Sequence, residues 1–271
     1  MKMTNYFKFA LMAVAAITLS MGTASCSDDD DDNDGGVPTY LFVPEKTVIN
    51  DEGDIDDYTI SYNNDLRITD LKGTYDNEPY SYKMEYDSEG RISKITYKDE
   101  AYSEETTQAY TYSGDKVTIL INQNGHVSTA VYTLNAAVTG CVYTNGSSVQ
   151  NITYKYDANG RLIQRSSKIG NETESMDITY NNDAAGISKN INMTPLMAIS
   201  LYELDKDRFD FLLMWDKGIA TIKKSSNDEV HSYSYTANSS GYPASYKLSV
   251  KVDGIEHPEY TATVTYKEVK K

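Results

Sequence analysis

The 271-residue chain is poor in the residues that most often serve in catalytic or metal sites or form covalent cross-links. It has 2 cysteines, 3 histidines, 1 tryptophan and 6 prolines, and its 5 phenylalanines stand against 24 tyrosines. Positive charge is also scarce, with 25 Lys and Arg against 40 Asp and Glu and a net charge of −15. Such an acidic chain offers no basic surface for phosphates of nucleic acid or for anionic lipid. We therefore expect no nucleic-acid partner.

The few cysteines and histidines exclude several kinds of site. Cys26 lies at the end of an N-terminal leader, and the only other cysteine is Cys141, so we expect no intramolecular disulfide. Cys141 falls in an apolar strand pattern, which predicts a buried, inert thiol. His126, His231 and His257 are far apart, and none has a partner at metal-ligand spacing. The sequence therefore predicts no metal site and no cofactor.

Residues 1–25 are typical of a secretory signal peptide. Lys2 and Lys8 give a positive start, and an apolar run too short to span a bilayer leads to small residues before Cys26. The step Thr-Ala-Ser-Cys resembles the lipobox of bacterial lipoproteins, although that family usually has Leu where Thr23 stands. The resemblance implies cleavage before Cys26 and acylation of that cysteine with palmitate. It further implies attachment to the outer membrane, for which more than one acyl chain is needed.

Residues 26–38 predict an acidic tether behind the lipidated cysteine. Five aspartates occupy 28–32, and Asp34 and two glycines follow, which makes the stretch too charged to pack. Cysteine followed by Ser and several Asp resembles the surface-export signal of Bacteroides-type lipoproteins. This resemblance implies that the protein is exposed on the cell surface. A simple spacer is the alternative. A calcium-binding EF-hand loop is excluded because Leu41 stands where its closing Glu would be needed.

Residues 39–271 predict an antiparallel β domain. Tyr80, Tyr82 and Met84 alternate with polar residues, and the same two-residue period recurs over 152–156, 246–252 and 260–266. One apolar and one wet face per strand is typical of antiparallel sheets. Asn-Gly pairs that favour hairpin turns stand at 124–125, 145–146 and 159–160.

The hairpins contain a repeat. Residues 86–92 (YDSEGRI) match 156–162 (YDANGRL), and fainter copies begin at Tyr62, Tyr112 and Tyr180. In each unit we expect Asp to cap the turn, Gly to take the left-handed position and Arg to start the outgoing strand. The unit resembles the YD repeats of large secreted β-repeat proteins. Lipobox, tether and hairpins together resemble a family of Bacteroides-type lipoproteins of unknown function with a porin-like β fold. That likeness covers the chain from about Asp57 onward and implies no activity.

One segment interrupts the strands. Thr194 followed by Pro195 predicts a helix start, and the apolar residues that follow predict a short helical insertion over about 195–216. We expect a large curved antiparallel sheet, or an incomplete barrel, wrapped around this insertion, with a β-sandwich as the second choice. A lipid-spanning barrel is disfavoured because Ser, Thr and Gln interrupt the apolar faces.

The residues support two functional hypotheses. The first is an outer-membrane, surface-exposed lipoprotein with a binding or structural role, whose partner is a glycan or another envelope protein. The second is a glycan-active hydrolase with a carboxylate pair in a Tyr-lined cleft; acidic pairs stand at 56–57, 104–105 and 228–229. The tyrosines, and Trp215, have two interpretations: a ladder of rings for a ligand, or core residues. No catalytic residue is assigned, and the ligand is unknown.

Overall fold

A computed structural model describes residues 40–75, 77–100, 104–135, 137–204, 210–214, 216–226 and 228–270. The predicted signal peptide, Cys26 and the acidic tether lie outside these residues, and so does Trp215. No helix in the described ranges has the length and apolar character needed to cross a membrane.

The described chain folds mainly as β-strands, each joined to the next by an antiparallel pairing. The strands are β1 (Tyr40–Asp51), β2 (Asp54–Tyr62), β3 (Ile68–Tyr75), β4 (Glu78–Tyr86), β5 (Ile92–Asp99), β6 (Glu104–Ser113), β7 (Lys116–Gln123), β8 (His126–Asn135), β9 (Ala137–Asn145), β10 (Ser148–Tyr156), β11 (Leu162–Ile169), β12 (Glu172–Ala185), β13 (Lys217–Lys224), β14 (Val230–Ala237), β15 (Pro243–Val252) and β16 (Ile255–Lys270).

The sheet is a closed barrel. β1 pairs with β2 on one side and with β16 on the other, from Tyr40 opposite Lys270 to Asn50 opposite Thr261. The prediction of an open sheet or incomplete barrel is therefore wrong, and so is the β-sandwich, because one continuous sheet contains all sixteen strands. The alternation of apolar and polar residues shows which face of a strand is buried. It carries no information on whether the first and last strands of a domain pair with each other.

Tight turns join the strands at both ends of the barrel. Asn124 (φ 50°) and Gly125 (φ 87°) give the hairpin between β7 and β8 the positive angles that its sequence predicted. Even-numbered strands end at one rim, which we call the insertion rim, since the longest connection leaves β12 there. The opposite end is the hairpin rim.

That connection enters the barrel. It forms α1 (Pro195–Leu204) and a short 3₁₀ turn, η1 (Asp210–Leu213), before β13 begins. Thr194 accepts a hydrogen bond at Oγ1 from the Met197 N–H (3.3 Å), so the predicted helix start is confirmed. The described residues between β12 and β13 are called the plug.

Side-chain polarity is divided between the two faces of the wall. On β4, Tyr80, Tyr82 and Met84 are buried while Lys83 and Glu85 are exposed. β15 has the same arrangement, with Tyr246, Leu248 and Val250 buried and Lys247 and Lys251 exposed. On these two strands the apolar residues thus point into the barrel and the charged residues point out. Most of the described tyrosines accordingly belong to the core, which confirms the second of their two interpretations, while Tyr40 and Tyr75 are exposed.

Candidate functional site: the filled interior

The plug fills the barrel from the insertion rim. Leu196, Met197, Ile199 and Leu201 of α1 are each at most 2% exposed. A helix that is apolar on all sides is expected only where it is surrounded by protein. The interior is therefore a packed core and not a lumen.

Polar contacts fix the plug to several strands. Tyr86 on β4 and Tyr202 on α1 direct their hydroxyls to the sulfur atoms of Met197 (3.3 Å) and Met176 (3.0 Å), respectively. Nearer the rim, Asn190 Nδ2 donates to the Phe42 carbonyl and lies 2.8 Å from the Tyr242 hydroxyl. The plug is thus bound to strands on both sides of the barrel.

One ion pair lies inside the barrel. Arg165 on β11 and Glu203 on α1 are 8% and 2% exposed, and Arg165 Nη2 donates to Glu203 Oε2 at 2.9 Å. Arg165 Nε donates to the other carboxylate oxygen, so the pair is bidentate. Burial disfavours the charged guanidinium, but the Glu203 carboxylate raises the pKa of Arg165 above its ordinary value. Arg165 therefore stays charged, and its bidentate contact with Glu203 joins the plug to the wall.

Cys141 lies beside this pair. Its thiol is 4% exposed, and burial, with a smaller contribution from Glu203, raises its pKa well above the ordinary value. Because the thiolate is the reactive form, this raised pKa makes the thiol inert. The prediction that the Cys141 thiol is buried is confirmed.

A set of tyrosine contacts closes the insertion rim. In each, a tyrosine at or near the end of an even-numbered strand donates its hydroxyl hydrogen to a backbone carbonyl of an earlier strand. We call these residues the latch tyrosines. The six bonds are Tyr62 to Pro44 (2.6 Å), Tyr86 to Ile68 (2.6 Å), Tyr112 to Ile92 (2.7 Å), Tyr180 to Leu162 (2.9 Å), Tyr235 to Ile219 (2.8 Å) and Tyr266 to Pro243 (3.0 Å).

The repeated motif positions some of these latches. Asp87 Oδ1 accepts hydrogen bonds from the N–H groups of Glu89 and Arg91 (both 2.9 Å), and Gly90 has φ 74°. The Arg91 guanidinium then lies 4.3 Å from the centre of the Tyr112 ring. The turn geometry expected of Asp, Gly and Arg is present; kinship with YD repeats stays a prediction. Sequence reasoning missed the tyrosine of the following hairpin as a member of the unit.

The space left beside the plug is small. A cavity of about 10 Å³ is lined by Tyr156, Tyr180 and four aliphatic side chains. That volume is roughly enough for one water molecule. It cannot hold a sugar.

The other predicted candidates do not converge. His231 and Lys224 both contact Glu229 at the hairpin rim, with Lys224 Nζ 2.5 Å from Glu229 Oε1. Glu105 instead pairs with Lys98 on the outer wall, at 2.8 Å. In the ranges that the structure describes, no group of three or more His, Cys, Asp or Glu could hold a metal ion. Glu203 is the one buried acid of those same ranges, and its partner is an arginine.

Comparison with known proteins gives a limited result. No family model matches the chain, and no curated protein matches it. A porin-like protein from Bacteroides uniformis has 16% identity and a TM-score of 0.42, covering 83% of this chain and 96% of its own. A porin-like protein from Bacteroides vulgatus has 12% identity and a TM-score of 0.42, with 84% and 99% covered. Both neighbours are thus porin-like and from Bacteroides, as the sequence resemblance implied. The likeness is too low to bring the function of those proteins to this chain.

Proposed function

We propose that the protein is an outer-membrane lipoprotein, anchored through Cys26, whose barrel stands in water as a structural or binding module. The observation that carries this proposal is the direction of the side chains. A barrel that spans a bilayer needs a continuous apolar band on its outer face. On β4 and β15 this barrel places Lys or Glu on that outer face and keeps the aliphatic and aromatic side chains of those strands inside.

The filled interior supports a role for the outer surface. In the described ranges the plug and the buried ion pair occupy the barrel interior, and the cavity beside them is only about 10 Å³. A partner, whether a glycan or another envelope protein, would bind the wall or the hairpin rim. The acidic run behind Cys26 supports placement on the cell surface.

The hydrolase hypothesis has no comparable support. A glycosidase needs two carboxyl groups that face each other about 5–10 Å apart across a sugar-sized cleft. The pair 104–105 lies at the start of β6 on the hairpin rim, and Glu105 is an outward residue paired with Lys98. We therefore retain a single proposed function.

Fractionation of cells that express the full chain or the Cys26→Ala variant tests the proposal. The wild-type chain should label with palmitate and remain with the outer membrane until detergent is added. The variant should lose the label and enter the aqueous fraction without detergent, with a far-UV circular dichroism spectrum typical of β-structure. If the unlabelled variant still needs detergent, the barrel itself is in the bilayer and the proposal fails.

A further inference from the structure

One part of the outer wall differs from the rest. On β6 to β10, the outward residues between the two rims are uncharged. Five are aliphatic: Leu120, Val127, Val131, Val142 and Val149. Four of these are between 43% and 52% exposed. We call this surface the uncharged wall.

The aliphatic residues are neighbours in the sheet. Val131 on β8 lies directly opposite Val142 on β9. On the other side of β8, Leu120 of β7 lies opposite Thr129, which is the next outward residue to Val131 along β8. Val149 is diagonal to Val142 across the β9–β10 pairing, and threonine and asparagine fill the positions between them. The result is one contiguous patch and not a scatter of single residues.

The area of the uncharged wall, with its Thr and Asn positions included, is at the upper end of the range for a single surface patch on a monomer. Five strands about 4.8 Å apart, each showing three or four outward residues, cover roughly 600 Å². The largest apolar patch on an ordinary monomer is about 300–600 Å², and a standard interface buries about 800 Å² on each partner. The wall with its immediate border therefore has the size of one interface.

We infer that the uncharged wall binds a second copy of the same chain, so that two barrels pack back to back around a two-fold axis. An uncharged face is complementary to itself, as an isologous interface requires. Two chains of net charge −15 can also approach by this side with little repulsion, because its centre is uncharged and Lys116, Lys155 and Lys168 border it together with Glu105 and Asp115. These lysines would lie at the polar rim of the interface.

Other occupants fit less well. The outward positions of the wall include no aromatic side chain, and rings are what a protein normally stacks on sugars. The wall also lies eight strands from the seam of β1 and β16. If the two-fold axis runs parallel to the barrel axes, the starts of β1 at Tyr40 lie at the same end of both barrels. Both lipid tethers, which precede Tyr40, can then enter one membrane. This last step rests on the proposed function.

Cross-linking in the native membrane tests the inference. The probe is a single cysteine at the centre of the wall, Thr129→Cys, in the full chain, treated with a short bis-maleimide. The matched control is Thr263→Cys, an exposed outward position in the middle of β16. We expect covalent dimer from Thr129→Cys and none from Thr263→Cys. Equal yields, or no dimer from either variant, would overturn the inference.

Sedimentation of the detergent-extracted chain gives an independent measurement. Wild type should be dimeric, and raised salt should leave the dimer intact because the interface centre is uncharged. Val142→Lys places like charges in the interface and should weaken the dimer at least about tenfold. Thr263→Lys should leave it unchanged, and both variants should keep the wild-type circular dichroism. If the wild-type chain is monomeric, the inference is overturned. This holds even if the monomer binds a glycan or vesicles through the uncharged wall. The palmitate experiment separately decides the proposed function.

Discussion

The ion pair between Arg165 and Glu203 gives the sharpest prediction about stability. Breaking a buried pair by removing one partner costs about 3–5 kcal/mol, because a charge is left in an apolar site. Arg165→Met leaves the Glu203 carboxylate without the guanidinium, and the carboxylate can lower the cost by taking up a proton. Glu203→Gln leaves a guanidinium that cannot lose its proton, so we expect it to be the more destabilising of the two.

The double variant separates the pair from its surroundings. Arg165→Met with Glu203→Leu removes both charges and keeps similar volumes, and such replacements are often neutral or stabilising. We expect its free energy of unfolding to lie within about 1 kcal/mol of wild type or above it. The two single losses would therefore be strongly non-additive.

Urea unfolding followed by far-UV circular dichroism measures all four proteins. The matched control is Lys98→Met, which breaks an exposed pair of similar length and should change little. If the double variant loses as much as the two single variants together, the pair is not a coupled element that holds the plug, and the reasoning is refuted. Hydrogen exchange on α1 gives a local measurement, since each single variant should speed exchange there.

Three smaller predictions concern the insertion rim and its turns. Tyr112→Phe should cost about 1 kcal/mol in thermal melts, whereas Tyr156→Phe should cost nothing, because the buried Tyr156 hydroxyl has no hydrogen-bond partner; equal losses would contradict this. Gly90→Ala should destabilise slightly more than Gly160→Ala, because both have positive φ and only at 90 must a side-chain end, the Arg67 guanidinium 2.6 Å from the new Cβ, move away. Burial raises the pKa of five latch tyrosines above the value of about 10 in an unfolded chain. Their stabilisation is complete below pH 10 and declines above it, so phenolate absorbance should rise together with unfolding; earlier ionisation would contradict the burial.

Local signals in the sequence predicted local structure. The turn between β7 and β8 and the start of α1 at Thr194 and Pro195 each depend on two to four adjacent residues, and the structure has them as expected. The direction of the tyrosines followed from the two-residue period, which holds on strands such as β4 and β15.

What the sequence did not predict depends on distant pairings. Closure joins Tyr40 to Lys270, and no neighbouring residue signals that pairing. The ion pair was missed for a related reason. Arg165 follows a β-bulge near Lys155 that shifts the register of β11, so a strict two-residue count along the strand gives no sign that this arginine points inward. Its partner is on a helix whose position inside the barrel is set by the packing.

The bulges also explain why the chain uses tyrosine and so little phenylalanine. A bulge leaves a residue outside the ladder, and a buried carbonyl without a donor is costly. Every latch acceptor lies where a register shifts, as Ile68 and Ile92 do at the bulges of the β2–β3 and β4–β5 pairings. A phenylalanine could fill the same space, but only the tyrosine hydroxyl can also donate a hydrogen bond to the carbonyl. The tyrosines therefore hold a bulged rim closed around the plug, and the face left to meet a partner is the wall.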